Sequence, residues 1–274
     1  MTTEFRSQRL SGARFRDVHL DGAHFEDVTL RGARFREVDL CDIRVDGAWM
    51  SGAVISGELD TLTVNGVEVM GFVEAELDRR HPDRPLMRPT DADGFRAAWA
   101  ALERLWGQTV QHARGFAPEQ LHESVDGEWS FIETLRHLVF ATDAWVCRAV
   151  LGQPAPWHPL DLPHDIMADE PSVPRDRTAR PSLEEVLALR ADRMAIVREV
   201  LAGLTDEGLA GMTTPVTEPG YPKPESFPVR RCLGAVINEE WEHRLYAERD
   251  LAALADRAAG RTAADTPDAG DEAG

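Results

Sequence analysis

The sequence predicts an α+β chain in two parts, a short solenoid followed by a four-helix bundle. Two observations carry this. A large apolar residue returns at every fifth position from Phe5 to Ile55, and helix-like apolar spacing then recurs four times between Asp91 and Ala258. The expected divisions are residues 1–70 for the solenoid, 71–90 for a linker, 91–258 for the bundle and 259–274 for a disordered tail.

The N-terminal series is Phe5, Leu10, Phe15, Leu20, Phe25, Leu30, Phe35, Leu40, Val45, Met50 and Ile55. Two residues before most of these stands a small or β-branched residue, such as Ala13, Val18, Ala23 and Val28. A period of five fits neither an isolated helix nor a flat strand. It fits a coil whose short sides stack, so that each turn buries its apolar positions against the next.

Residues 3–57 resemble the pentapeptide-repeat family on these in-phase positions. The resemblance implies a right-handed quadrilateral β-helix of about two to three coils. Some long relatives are acidic DNA mimics. Arg14, Arg16, Arg31, Arg34, Arg36 and Arg44 on this short stack speak against mimicry. A docking or dimerisation cap, offering a surface to a second copy or a protein partner, is the plainer expectation. Leu62 with Val64 and Val67 with Val69 suggest short strands that close the open end.

The linker is proline-bearing (Pro82, Pro85, Pro89), with room for a helical turn near Glu74–Arg80. The first bundle helix is expected over Asp91–Arg114, with Phe95, Trp99, Leu102 and Trp106 on one stripe. The second runs from Ser130 to Leu151, opened by the Ser130/Glu133 capping-box pattern and stopped by Gly152 and Pro154. A long proline-rich loop follows, carrying Trp157, His158 and His164, and a loop of that length in a compact domain is commonly functional. Ser182 and Glu185 open the third helix, which ends before Gly203. The fourth spans about Ser226 to Ala258. Sites in such bundles form from side chains of facing helices.

Net charge of −18 argues against general nucleic-acid binding and against anionic membrane surfaces. The three cysteines, Cys41, Cys147 and Cys232, form no paired motif, no apolar run approaches a membrane span, and Met1–Arg9 lacks a signal-peptide core. A cytoplasmic protein with free thiols is expected.

Within the fourth helix, Glu239 and His243 are four residues apart and project from one face. Such pairs are commonly surface contacts worth about 0.2–0.5 kcal/mol. On an inward stripe they need a partner, and a zinc-like ion accepts both donor types. His137 lies within the second helix on a face shared with Thr134, Ala141 and Ala144, which leaves room for a bound group. A lone histidine there is also commonly a satisfied core residue.

With these residues in place, positions 91–250 resemble the DinB-like superfamily of metal-binding four-helix bundles, which place one ligand on the second helix and two on the fourth. The usual set is three histidines; Glu239 departs from it. The variant set is similar to that of the mycothiol-dependent maleylpyruvate isomerase type. The resemblance implies His137, Glu239 and His243 as ligands, a divalent metal with zinc favoured, and a low-molecular-weight thiol as cosubstrate. It thus implies an S-transferase or isomerase acting on a small-molecule thiol and an electrophile. The Arg- and Ala-rich composition matches high-GC actinomycetes, for which mycothiol would be the thiol. A zinc hydrolase of an amide or ester, and a non-enzymatic stress-related binding protein whose repeat stack recruits a partner, are the alternatives.

Candidates for the pocket around the ligands are Trp129, Arg136, Trp157, Asn238, Glu240, Trp241 and Arg244. Each has a plain reading as core or helix-surface residue. Asn238 and Glu240 flank Glu239, and Glu240 becomes the ligand if the register is off by one.

Overall fold

The protein is described here by a computed structural model covering residues 4–36, 38–57 and 59–264. The chain divides into two compact units, Met1–Glu58 and Leu59–Gly274, so residues 59–70 group with the helices rather than with the repeats.

In the first unit the five-residue period appears as a series of corners. Gly12 takes a φ of 79° and Asp17 a φ of 51°, and the alternation repeats at Gly22 and Asp27. A left-handed residue costs least as Gly, and Asp tolerates it better than bulkier side chains. At alternate corners a β-turn closes, as where the Ala13 N–H donates to the Leu10 carbonyl at 3.0 Å. The expected buried interior is not formed. All eleven apolar positions from Phe5 to Ile55 are 46–64% exposed, and no described residue of this unit lies in a strand. A repeat buries its apolar side only against a neighbouring coil, and this run is too short to supply many.

The second unit opens with a hairpin, β1 (Thr63–Val64) and β2 (Val67–Glu68), antiparallel with Val64 opposite Val67. Asn65 and Gly66, both at positive φ, form its turn. Helix α1 covers Met70–Arg80, longer than the single turn expected. A short 3₁₀ turn, Arg84–Met87, follows, and Arg84 bridges Glu74 and Asp78 of α1.

Four long helices form the bundle. Helix α2 is Ala92–Ala113, capped by Asp91, whose carboxylate accepts from the Gly94 N–H. Helix α3 is Phe131–Thr142, continued by a π-helical segment, Asp143–Val150, where a plain α-helix to Leu151 was expected. The Leu151 N–H reaches back to the Val146 carbonyl, a bond spanning five residues that apolar periodicity does not reveal. Helix α4 is Leu183–Ala202. Both α3 and α4 begin with complete capping boxes, Ser130 with Glu133 and Ser182 with Glu185. Helix α5 is a single turn, Asp206–Leu209, and α6 runs Val229–Ala264. Residues 259–264 are therefore helical, not tail; the rest of the expected disordered tail lies outside the described residues.

Helix α3 packs on α4 and α6, and α2 packs on the same two. Helices α2 and α3 thus stand across one diagonal of the bundle, and α4 and α6 across the other. One apolar cluster joins Phe95, Trp99 and Leu102 of α2 to Val197 and Leu201 of α4 and to Leu233, Ile237 and Trp241 of α6. A second joins Trp106, Leu135, Leu138, Val186 and Leu251. Every residue of α3 except Glu133 is buried, because the crossover from Leu151 to Ser182 covers its outer side. No helix among the described residues is long and apolar enough to cross a membrane.

Candidate metal centre

His137 of α3 meets Glu239 and His243 of α6 where these two helices pack together. Each residue offers one ligating atom, and the three atoms lie within 4.8 Å of one another. His137 Nε2 is 3.2 Å and His243 Nε2 is 3.0 Å from the same Glu239 oxygen. Two ligands about 2.1 Å from one zinc ion at the tetrahedral angle stand about 3.4 Å apart, so little movement is needed to admit an ion.

The hydrogen bonds of His137 carry the fit further. Its Nδ1 lies 2.9 Å from the Leu162 carbonyl, while Nε2 faces the Glu239 carboxylate. Both partners are acceptors. The buried ring satisfies them either as an imidazolium or as a neutral imidazole that donates from Nδ1 and binds a cation through Nε2. A backbone carbonyl on the far nitrogen is the usual way a ligating histidine is oriented. The residues present fit a metal ion.

Burial opposes charge on Glu239, but hydrogen bonds from His137 and His243 outweigh it and hold the carboxyl well below the usual carboxylate range. Burial depresses the His243 imidazole, with the Glu239 bond opposing. The carboxylate is thus kept ionised and the neutral form of His243 favoured, and a metal would replace the protons that the two Nε2 atoms share with Glu239. The Glu239 side chain is 33% exposed against 4% for His137, so the cluster is closed from the core and open on the Glu239 side.

Matching against family models assigns residues 101–247, more than half the chain, to the DinB superfamily, and residues 10–54 to pentapeptide repeats in nine copies. This chain belongs to the DinB superfamily. Members commonly bind a metal, and the His/Glu/His cluster lies within the matched span. The N-terminal stretch is a pentapeptide-repeat region. Comparisons with curated proteins and with solved structures returned no match.

Of the seven other residues expected at the DinB site, Trp129 is beside it. Its ring stacks on His243 at 5.7 Å and tilts against His137 at 4.5 Å. Trp157 stands one ring further out, stacked on Phe140, which is 6.0 Å from His137. Asn238 is exposed.

The remaining four are engaged elsewhere. Glu240 is buried with both oxygens on Arg190 of α4, at 2.8 and 3.1 Å, because neighbouring helical residues point about 100° apart. Trp241 packs in the cluster against α2. Arg244 donates to the Thr109 hydroxyl at 3.0 Å. Arg136 is wholly buried and donates to the carbonyls of Leu160, Asp176 and Ala179, fastening the crossover loop instead of offering a cation.

Sequence reasoning named His164 only as part of the long loop and missed Tyr221; their rings meet edge to face at 5.5 Å. Burial lowers the His164 pKa and the His137 charge lowers it further; burial raises that of Tyr221, with the Glu239 charge adding to it. The proline-rich loops that carry them have no period from which to read a facing direction.

Proposed function

We propose that the bundle is a zinc-dependent enzyme that uses a low-molecular-weight thiol, of the mycothiol kind, in S-transfer or isomerisation. The observation that carries this reading is the convergence of three ligating atoms with His137 Nδ1 already committed to the Leu162 carbonyl. His137, Glu239 and His243 would hold the ion. Zinc with three protein ligands keeps a position for an outside donor, and when bound there it lowers the pKa of a thiol or water to give a nucleophile at neutral pH.

The protein's own groups do the rest. Leu162 fixes the His137 tautomer, and Trp129 limits water on the histidine side. His164 and Tyr221 are the titratable neighbours available to a bound thiol or its electrophile. Trp157 adds a buried Nε1–H with no acceptor among the described residues. The free cysteines suit a reducing cytoplasm.

For the repeat unit the proposal is a quadrilateral β-helix, supported by the nine-copy pentapeptide-repeat match, that docks a second copy or another protein. Deleting residues 1–58 should then leave metal content and turnover in place.

The test of the enzymatic reading is incubation of the zinc-loaded protein with isotope-labelled thiols and a panel of electrophiles. A thiol adduct or an isomerised product, absent with His243→Ala, is the expected result. Hydrolysis of an ester or amide without any requirement for thiol would replace this reading with zinc hydrolysis.

A further inference from the structure

Away from the three ligands, Asp143, Asp161 and Arg193 form a second buried polar cluster. Asp143, on the π-helical segment, and Asp161, in the crossover loop, are both fully buried. Arg193 of α4 donates to the two Asp143 oxygens at 2.7 and 3.0 Å, which marks Asp143 as the anion of the pair. Asp161 Oδ2 accepts from the His158 N–H at 3.2 Å, but its Oδ1 has no donor among the described residues. The Asp143 and Asp161 side chains are hydrogen-bonding neighbours.

Were both carboxylates ionised, one guanidinium would serve two charges in a dry site, and Oδ1 would be an orphaned acceptor. A single proton held between them removes both costs. Charged and titratable groups facing Asp161 are Asp143 and Cys147 from the π-helical segment and Arg193 from α4; its own loop supplies only the His158 N–H. Burial, then the Asp143 charge, pushes the Asp161 carboxyl up to about 8.

What this clasp holds is the next residue. Leu162, wholly buried, presents the carbonyl that meets His137 Nδ1, and Leu160 presents the one that meets Arg136 Nε at 2.8 Å. We propose that Asp161 is a positioning residue of the metal site, acting as a neutral carboxylic acid that shares its proton with Asp143 and so fixes the Leu162 carbonyl that orients His137. The effect on metal affinity rests on the metal reading of His137; the clasp itself does not.

The test compares wild type with Asp161→Asn, whose amide keeps a donor for Asp143 and an acceptor for His158 without titrating. Zinc affinity is measured by chelator competition at pH 7 and pH 9. With a midpoint of about 8, the competent fraction at pH 9 is about one in ten, so the wild type should bind about tenfold more weakly than the variant there and equally at pH 7. Parallel affinities at both pH values, or a loss in the variant at pH 7, would overturn the proposal. Hydrogen exchange of the metal-free proteins keeps the two readings apart. The His158 and Asp161 amides should lose protection at pH 9 in wild type alone; equal protection would sink the clasp, whatever zinc does. Zinc refused by both proteins counts against the metal reading, and the exchange result then decides the clasp.

Discussion

The ion pair between Arg190 and Glu240 crosses the bundle diagonal and is the clearest target for a stability measurement. Its side chains are 4% and 1% exposed, and Arg190 also sits 4.9 Å over the Trp106 ring. The Trp106 Nε1–H donates to the Glu240 carbonyl at 3.2 Å, so α2, α4 and α6 meet at this point. Glu240→Leu leaves a buried guanidinium without its counter-charge, and Arg190→Met leaves a buried carboxylate. Breaking one side of such a pair costs about 3–5 kcal/mol. For a domain of this size each kcal/mol shifts Tm by about 2–4 °C, so either variant should melt roughly 6–20 °C lower. Arg190→Met with Glu240→Leu removes both charges and should recover most of the loss. Urea unfolding of the four proteins gives the coupling energy directly. Single variants costing under about 1 kcal/mol, or a double variant equal to the sum of the singles, would refute the burial argument.

Asp161→Asn should also stabilise the fold. The Asp161 carboxyl is raised from 3.8 to about 8 in the folded state, so between these values the native protein holds a proton the unfolded chain has lost. Stability from this group therefore falls as pH rises through that window and levels off above it. The variant's advantage should grow from pH 4 to pH 8, reaching at most about 4 kcal/mol at pH 7, as read from urea midpoints. A thiol reagent at pH 8 should label Cys41 alone in the native protein and all three cysteines after denaturation. Burial pushes the Cys147 thiol up to about 12 and Cys232 to about 11. Gly220→Ala should cost about 1–3 kcal/mol of stability, since its methyl would lie 2.9 Å from Arg148 Cζ and 3.2 Å from Trp157 Cζ2.

The bundle was legible where local chemistry is explicit. Ser130 with Glu133 and Ser182 with Glu185 announce helix starts because the reciprocal hydrogen bonds need those residue types at that spacing. The i,i+4 spacing of Glu239 and His243 placed them on one face, and the structure brings His137 to meet them. Direction around the helix was harder. Glu239 and Glu240 are adjacent carboxylates, and only the position of Arg190 on another helix decides which one faces the core. Arg136 reads as a free cation until the crossover loop closes over it with three carbonyls. Asp161, His164 and Tyr221 come from proline-rich loops whose path is set by tertiary contacts. In the repeats, the period five was visible as a rhythm of corners, but whether the apolar side is covered depends on neighbouring coils.

The function proposed for the bundle requires that His137, Glu239 and His243 hold a metal. The direct measurement is metal content by mass spectrometry on protein purified without a nickel column, beside His137→Ala and His243→Ala. Near-stoichiometric zinc in the wild type, abolished by either substitution, is the predicted result. A metal-free wild type that refuses added zinc would contradict it.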